Sequence, residues 1–263
     1  MAGDDAPMRF GVCAGLDKAA AAAEAGWDFL EVGVGTFVPA EPDSEYAPVS
    51  DQIAGLPLPV EAANCFIPGE HRLTGPDVDL DAVLAYVDVA MARMSAAGLK
   101  VVVLGSGGAR NLRDDWPLEE GLEQLATFLS GAAPLASNAG MTIAVEPLRR
   151  AESNIINRVS EAADLCKRVG HSAVRPLADF FHMTEDGEPP SEAGKYASQL
   201  AHVHVADTGR VPPGEGQADF AGFFRALAEG GYSGRVSVEC GWEDLGGQQA
   251  LALQTLRAAW PAD

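Results

Sequence analysis

Short apolar runs alternate with longer helical stretches along the whole chain, and this alternation is the feature that most limits the possible fold. Each run is rich in Val, Leu, Ile or Ala and is bounded by Gly, Pro or Asp, which is typical of a buried strand. The eight runs cover residues 9–13, 29–34, 59–63, 100–105, 141–146, 175–179, 200–207 and 235–240.

The stretches between the runs carry apolar residues at helical spacing. In the first of them Asp17 is placed as the N-cap and Gly26 as the end, and the second, 49–55, is weak. The others cover 79–98, 118–140, 157–170, 191–199, 219–230 and 246–260. Strands that alternate with helices form a parallel sheet, and eight such units close into a barrel. No linker or low-complexity tract divides the chain. The sequence therefore predicts an α/β fold, a single (β/α)8 TIM barrel in one domain over residues 1–263.

An open, doubly wound sheet is the alternative arrangement of the same elements. That fold usually carries a Gly-rich phosphate-binding turn after its first strand. The corresponding segment here, CAGLDKA at 13–19, lacks the GxGxxG pattern. The barrel is therefore the favoured arrangement.

The charge of the chain limits its partners. It contains 38 acidic and 18 basic residues, which gives a net charge of −20. Such a surface repels phosphate backbones and anionic lipids, so we expect neither nucleic acid nor membrane as a partner. The four cysteines are scattered without paired spacing, and the chain shows neither a signal peptide nor a long apolar stretch. We therefore expect reduced thiols and a cytoplasmic protein.

The last four predicted strands each end on a residue type that binds metal ions. These residues are Glu146, Asp179, His204 and Glu239. Strand ends of a barrel meet at its C-terminal mouth, where catalytic groups lie. Buried carboxylates need partners, and no basic residue stands at these strand ends, so the group would repel itself without a cation. Mn2+, Mg2+ or Co2+ suits this mixture of oxygen and nitrogen ligands.

Strand alternation supports an inward position for these ligands. Glu146 and Glu239 each fall on the face opposite the Val and Ile residues of their runs. His202 shares the face of His204 but lies deeper, and we interpret it as a core histidine. Glu31, in the second run, is a candidate for an inward position, but the favoured interpretation is an ordinary polar residue of a strand.

Four segments together resemble the sugar phosphate isomerase and epimerase family that has a xylose isomerase-like TIM barrel. They are VEPLRRAESNIIN (145–157), LADFFHM (177–183), HVHVADTGRVPPGEGQADF (202–220) and SVECGW (237–242). Within that family the ketose 3-epimerases, such as D-tagatose 3-epimerase, are the closest well-understood model. The resemblance covers the barrel loosely and its C-terminal half tightly. It implies a metal-dependent enzyme that acts on a small sugar or keto-sugar and is compatible with a homo-oligomer.

The resemblance also implies roles for individual residues. Glu146 and Glu239 would be the paired catalytic acid and base while they also bind the metal, and Mn2+ is the favoured ion. Glu152, His182 and Arg210 would hold the substrate's oxygens.

The first half of the chain offers less specific candidates. Asn64 is a candidate substrate-binding residue after the third strand. Phe66 and Trp116 are compatible with a sugar pocket and equally with a core or lid position. The loop after the eighth strand, GWEDLGG at 241–247, is acidic, which favours an unphosphorylated sugar.

Several functions stay open at this point. The main hypothesis is isomerisation or epimerisation through an enediolate, formed by removing a proton next to a carbonyl. A lyase that eliminates a group from a keto-glycoside would use the same residues. An apurinic endonuclease of the same barrel type is disfavoured, since it expects several zinc ligands and a basic groove. A non-catalytic sugar-binding subunit would not need the complete ligand set.

Overall fold

The computed structural model describes residues 8–261, and its eight parallel strands form a closed barrel in chain order. Each strand pairs with the next, and the last pairs with the first. The strands are β1 (Arg9–Cys13), β2 (Phe29–Gly33), β3 (Val60–Asn64), β4 (Val101–Leu104), β5 (Thr142–Val145), β6 (Val174–Asp179), β7 (His202–Val205) and β8 (Arg235–Val238). The predicted (β/α)8 barrel is confirmed.

Helices connect the strands on the outside of the barrel. They are α1 (Ala19–Ala25), α2 (Asp43–Ala54), α3 (Leu80–Ala96), α4 (Gly107–Arg110), α5 (Leu118–Asn138), α6 (Val159–Val169), α7 (Phe180–Glu185), α8 (Pro190–Tyr196), α9 (Phe220–Glu229) and α10 (Leu245–Ala259). No helix in the described part of the chain is long and apolar enough to cross a membrane.

Two helix predictions were wrong in detail. Asp17 does not cap α1, because it lies inside a 3-10 turn at Leu16–Lys18 that precedes the helix. The second helix runs over Asp43–Ala54 and is longer than the predicted 49–55. None of its residues is buried, so it carries little of the apolar periodicity by which a helix is found in a sequence.

The apolar residues form two clusters, one on each side of the strand wall. The larger one lies between strands and helices and includes Ile143 and Val145. The smaller one lies inside the barrel and consists of Phe29, Ala62, Val101, Val103, Ala144 and Leu177. Ala144 and its neighbours in β5 thus face opposite sides, which confirms the predicted alternation. The inward side chains toward the C-terminal strand ends are polar.

Candidate metal centre at the barrel mouth

The four predicted ligands come together at the C-terminal mouth of the barrel. One ligand atom from each of Glu146, Asp179, His204 and Glu239 lies within 4.8 Å of all the others. His204 is at the centre, with its Nδ1 atom 3.1 Å from Glu146 Oε1, 3.6 Å from Glu239 Oε2 and 3.9 Å from Asp179 Oδ2. His204 and Asp179 are fully buried, and the Glu239 side chain is partly open to the mouth.

Local structure explains how the carboxylates of this cluster are aimed. Asp179 ends β6 and caps α7, and its Oδ1 atom accepts a hydrogen bond from the His182 backbone N–H at 3.0 Å. This bond fixes the carboxylate and leaves Oδ2 directed at the cluster. Gly105 follows β4, and a Cβ atom there would lie 2.1 Å from Glu146 Oε2. Only glycine at that position leaves room for the observed position of the Glu146 carboxylate.

The electrostatics of the cluster show an excess of negative charge. Burial raises the pKa of Glu146 above its usual value, and the nearby Glu239 and Asp179 add to this effect against the hydrogen bond with His204. Burial would lower the pKa of His204, but the surrounding acids Glu31, Glu239 and Glu146 raise it well above the usual range. Within the cluster, the three carboxylates of Glu146, Asp179 and Glu239 thus surround the single imidazole of His204. A divalent cation would neutralise this charge, and the donor set of carboxylate oxygens and one imidazole nitrogen fits such an ion.

A fourth acid, Glu31, lies directly behind His204, so the interpretation of Glu31 as an ordinary polar residue was wrong. It is 0% exposed. Its Oε1 lies 2.8 Å from His204 Nε2, and its Oε2 lies 2.8 Å from His202 Nε2. His202 Nε2 is also 3.0 Å from Ser237 Oγ, so His202 is a bonded interior histidine as interpreted. The signal in the sequence was a single acid on the inward face of an otherwise apolar run.

The residues predicted to hold a substrate surround this cluster. Both ring nitrogens of His182 are buried and have no hydrogen-bond partner in the described part of the chain, and Nε2 lies 3.8 Å from Asp179 Oδ2. Arg210 donates from Nη2 to Glu239 Oε2 at 2.7 Å, and its Nη1 lies 3.5 Å from Glu152 Oε1. Arg149 Nε binds the same Glu152 oxygen at 2.7 Å.

Phe181, which the sequence interpretation did not single out, supports this arginine pair. The guanidinium carbons of Arg210 and Arg149 lie 5.2 and 5.1 Å from the centre of its ring. Arg210 has a φ of +61°, an uncommon conformation for a residue other than glycine. Such strained backbone is often found where a side chain must be held in one position.

Asn64 also reaches the cluster, although its amide contacts the protein. Its Nδ2 atom donates to Glu239 Oε1 at 3.2 Å and lies 3.6 Å from Cys13 Sγ. Phe66 is 0% exposed and belongs to the large hydrophobic cluster, so it has the core position. Trp116 donates from Nε1 to Gln124 on α5 at 3.1 Å.

Comparison with known proteins is consistent with this geometry. The family model described as "Xylose isomerase-like TIM barrel" matches residues 19–259. A D-psicose 3-epimerase from Ruminiclostridium cellulolyticum is 29% identical over 181 residues, which cover 65% of this chain and 59% of that protein. An L-ribulose 3-epimerase from Mesorhizobium japonicum is 28% identical over 220 residues, which cover 82% of this chain and 72% of that protein.

A solved structure shows the same fold over its full length. The crystal structure of 3-keto-D-glucoside 4-epimerase from E. coli, in its apo form, superposes with a TM-score of 0.82 and 23% identity. The superposition covers 96% of this chain and 100% of that one. Two of the three similar proteins are thus named for epimerisation at carbon 3 and one for epimerisation at carbon 4.

Proposed function

Because this chain belongs to the xylose isomerase-like TIM barrel family, we propose that it is a divalent-metal-dependent carbohydrate epimerase or isomerase. The observation that carries the proposal is the convergence of three carboxylates and one imidazole at the barrel mouth. The names of its relatives, D-psicose 3-epimerase and L-ribulose 3-epimerase, support sugar epimerisation as the reaction.

In this proposal the metal is bound by Glu146, Asp179, His204 and Glu239, and Mn2+ is the favoured ion, with Mg2+ or Co2+ also compatible. When bound, the ion would supply Lewis acidity, which stabilises negative charge that develops on substrate oxygens. Arg210 brings positive charge to these acids by binding one of them, Glu239, and the buried Arg110 brings positive charge near Glu146.

Glu146 and Glu239 are the proposed acid and base. Epimerisation requires a proton to be taken from a carbon next to a carbonyl on one face and returned on the other, so two carboxylates are needed. Their surroundings push their pKa values apart. Burial raises the pKa of Glu146, whereas at Glu239 the attraction of His204 and Arg210 outweighs burial and lowers the pKa. Such a difference is typical of carboxylate pairs that share acid and base work.

His182, Arg210 and Glu152 are proposed to hold the substrate. A sugar presents hydroxyl and carbonyl oxygens that need both donors and acceptors. The buried and unpaired ring nitrogens of His182 offer the strongest support for a ligand oxygen at this position. Arg210 has further N–H groups besides the one bound to Glu239, because a guanidinium carries five donors. Asn64 completes the set by fixing the second oxygen of Glu239.

The proposed substrate is an unphosphorylated sugar or keto-sugar. D-Psicose and L-ribulose, which two relatives are named for, are free ketoses. Barrel enzymes that bind phosphate usually do so after strands seven and eight. Here the loop after β8 contains Glu243 and Asp244 and the loop after β7 contains Glu215, which would repel a phosphate.

The remaining parts of the proposal concern the protein as a whole. We propose one domain over residues 1–263, of which 1–7 and 262–263 lie outside the described residues, and a homo-oligomer as its assembly. A cytoplasmic location is supported by the four cysteines, which are all free thiols.

Metal removal combined with a substrate panel tests this function. Protein stripped with a chelator should lose its activity on free ketoses and regain it with Mn2+, Co2+ or Mg2+. The same panel should include sugar phosphates and 3-keto-glycosides, with products identified by NMR. Full activity of the stripped protein would refute the metal dependence. An unsaturated product from a keto-glycoside would instead identify the lyase, which uses the same residues.

A further inference from the structure

We propose that Glu31 is a positioning residue that holds His204 in the tautomer whose Nδ1 lone pair faces the other proposed metal ligands. This inference rests on the metal-dependent function proposed above. Glu31 contacts neither the mouth nor a substrate position, since it is fully buried beneath His204. Its effect would therefore act through the histidine ring.

The two nitrogens of the His204 ring face different acids. Nε2 lies 2.8 Å from Glu31 Oε1, whereas Nδ1 lies 3.1 Å from Glu146 Oε1 and close to the other proposed ligands. A neutral imidazole has one N–H and one free lone pair, and an ionised carboxylate only accepts hydrogen bonds. When a bound metal leaves the His204 ring neutral, an ionised Glu31 therefore requires the proton on Nε2. This tautomer directs the Nδ1 lone pair at the point where the three carboxylates meet.

His202 keeps Glu31 in place by the same rule. Its Nε2 lies 2.8 Å from the second oxygen of Glu31, so both carboxylate oxygens bind an imidazole. If His202 carries its proton on Nε2, its Nδ1 is left with a lone pair and needs no acceptor. That atom indeed has no hydrogen-bond partner in the described part of the chain. Each carboxylate oxygen of Glu31 thus has one donor, and the carboxylate cannot rotate without breaking both bonds.

A carboxylate behind a metal-binding histidine is known to matter for affinity. Such a partner fixes the ring orientation and makes the coordinating nitrogen more basic, and its loss typically weakens metal binding by about 10- to 100-fold. We expect this range for Glu31→Ala.

In a competing interpretation, Glu31 itself binds the metal. Cys13, Glu31 and His204 form a second group of three donor atoms within 4.8 Å. In that arrangement His204 would use Nε2 for the metal, and the Nε2–H bond to Glu31 would be absent. The two readings therefore differ in which ring nitrogen binds the metal and in whether Cys13 contributes.

Metal affinity and ring nitrogen spectra distinguish these readings. Mn2+ dissociation constants would be measured for the wild type, Glu31→Gln, Glu31→Ala, Cys13→Ala and Asp179→Ala. Glu31→Gln has the same shape, but its amide accepts on one side only and must donate toward one of the two histidines. We expect a tenfold or greater loss for Glu31→Ala, a smaller loss for Glu31→Gln and no change for Cys13→Ala.

Two controls keep the result interpretable. Glu61→Gln makes the same change at a carboxylate at the N-terminal end of the barrel and should leave the affinity unchanged. Nitrogen-15 NMR of Zn2+-loaded wild type should show a metal-bound Nδ1 and a protonated Nε2 on His204, and it decides the question even if a Glu31 variant fails to fold.

The outcomes separate this inference from the proposed function. If the wild type binds Mn2+, Asp179→Ala loses it and Glu31→Ala matches the wild type, the role of Glu31 is refuted while the metal centre stands. An equal loss in Cys13→Ala, or a metal-bound Nε2, would make Glu31 a ligand instead. Absence of Mn2+ binding in the wild type would refute the metal centre and this inference together.

Discussion

The two ends of the barrel differ in their ratio of acidic to basic side chains. At the N-terminal end one acid, Glu61 on β3, accepts hydrogen bonds from two arginines, Arg9 on β1 and Arg235 on β8. At the C-terminal mouth the proportion is reversed, because three carboxylates surround one imidazole and Arg210 hydrogen-bonds one of them, Glu239. At the N-terminal end the carboxylate and the two arginines pair with one another within the protein. At the mouth the proposed metal ion would supply the balancing positive charge, and in barrels the C-terminal end is where ligands are bound.

Buried polar atoms without a hydrogen-bond partner in the described part of the chain occur at both ends, namely Arg9 Nε at the N-terminal end and the His182 ring nitrogens at the mouth. Arg9 also donates to the Asp28 carbonyl at 3.1 Å, so the N-terminal group binds the backbone as well. Arg9 therefore uses its other nitrogens, whereas the buried His182 ring makes no hydrogen bond within the described residues, and its Nε2 lies 3.8 Å from Asp179 Oδ2. Unpaired buried groups are rare in native proteins and commonly mark the place of a ligand. We therefore expect changes at the mouth to affect catalysis and metal binding, and changes at the N-terminal end to affect stability.

The largest effect is expected for the paired glutamates. Glu146→Gln and Glu239→Gln should each lower turnover by about 10²- to 10⁴-fold, the usual contribution of a positioned acid or base. In heavy water each variant should exchange the carbon-bound proton of only one epimer, because the surviving carboxylate reaches one face of the substrate. Deuterium incorporation followed by NMR measures this asymmetry. If both variants exchange both epimers at similar rates, neither carboxylate is confined to one face of the substrate and the two-base proposal is refuted.

A smaller effect is expected for the residues around the cluster. His182→Ala and Arg210→Ala should retain the metal and lose about 2–4 kcal/mol of transition-state stabilisation, the scale of one donor to a developing oxyanion. His182 contributes by its free ring nitrogens, and Arg210 contributes by its remaining N–H groups. Metal content and kcat/KM measured on the same samples check the division of roles. A metal-free His182→Ala protein would show that this ring supports the cluster instead of the substrate.

The barrel could be predicted from the sequence because its strands are marked by local features. Apolar runs and their boundaries lie next to each other in the chain, and barrel closure follows from their number. Glu146, Asp179, His204 and Glu239 could be selected for the same reason, since each is a polar residue at the end of an apolar run. Helix α2 was underestimated because it buries no side chain, so no apolar period marks it.

The contacts behind the cluster could not be predicted from local features. Glu31 and His204 are 173 residues apart, and their contact depends on the register and closure of the whole barrel. The same holds for Asn64 and Glu239, which lie 175 residues apart on β3 and just after β8. Phe181 is a different case, because only the positions of Arg149 and Arg210 reveal its role. Sequence patterns locate the strand ends, and the partners across the barrel axis require the structure.

The smallest expected effect, and the most direct test of the contrast, is on stability without metal. Glu61→Gln leaves Arg9 and Arg235 without their shared anion and should lower the free energy of unfolding by about 1–2 kcal/mol. This value lies in the lower part of the range for charged hydrogen bonds because all three side chains are partly exposed. Catalysis should stay unchanged.

The matched variant Asp179→Asn keeps an oxygen that can cap α7 and removes one of the repelling charges, so the metal-free protein should be as stable as the wild type or more stable. Urea denaturation of both variants in chelator, repeated with Mn2+, measures the difference. The ion should stabilise the wild type and Glu61→Gln alike and Asp179→Asn much less, because only a state that binds the ion gains from it. If Asp179→Asn were instead the less stable variant in chelator, the carboxylates at the mouth would already be balanced by the protein, and the contrast between the two ends would fail.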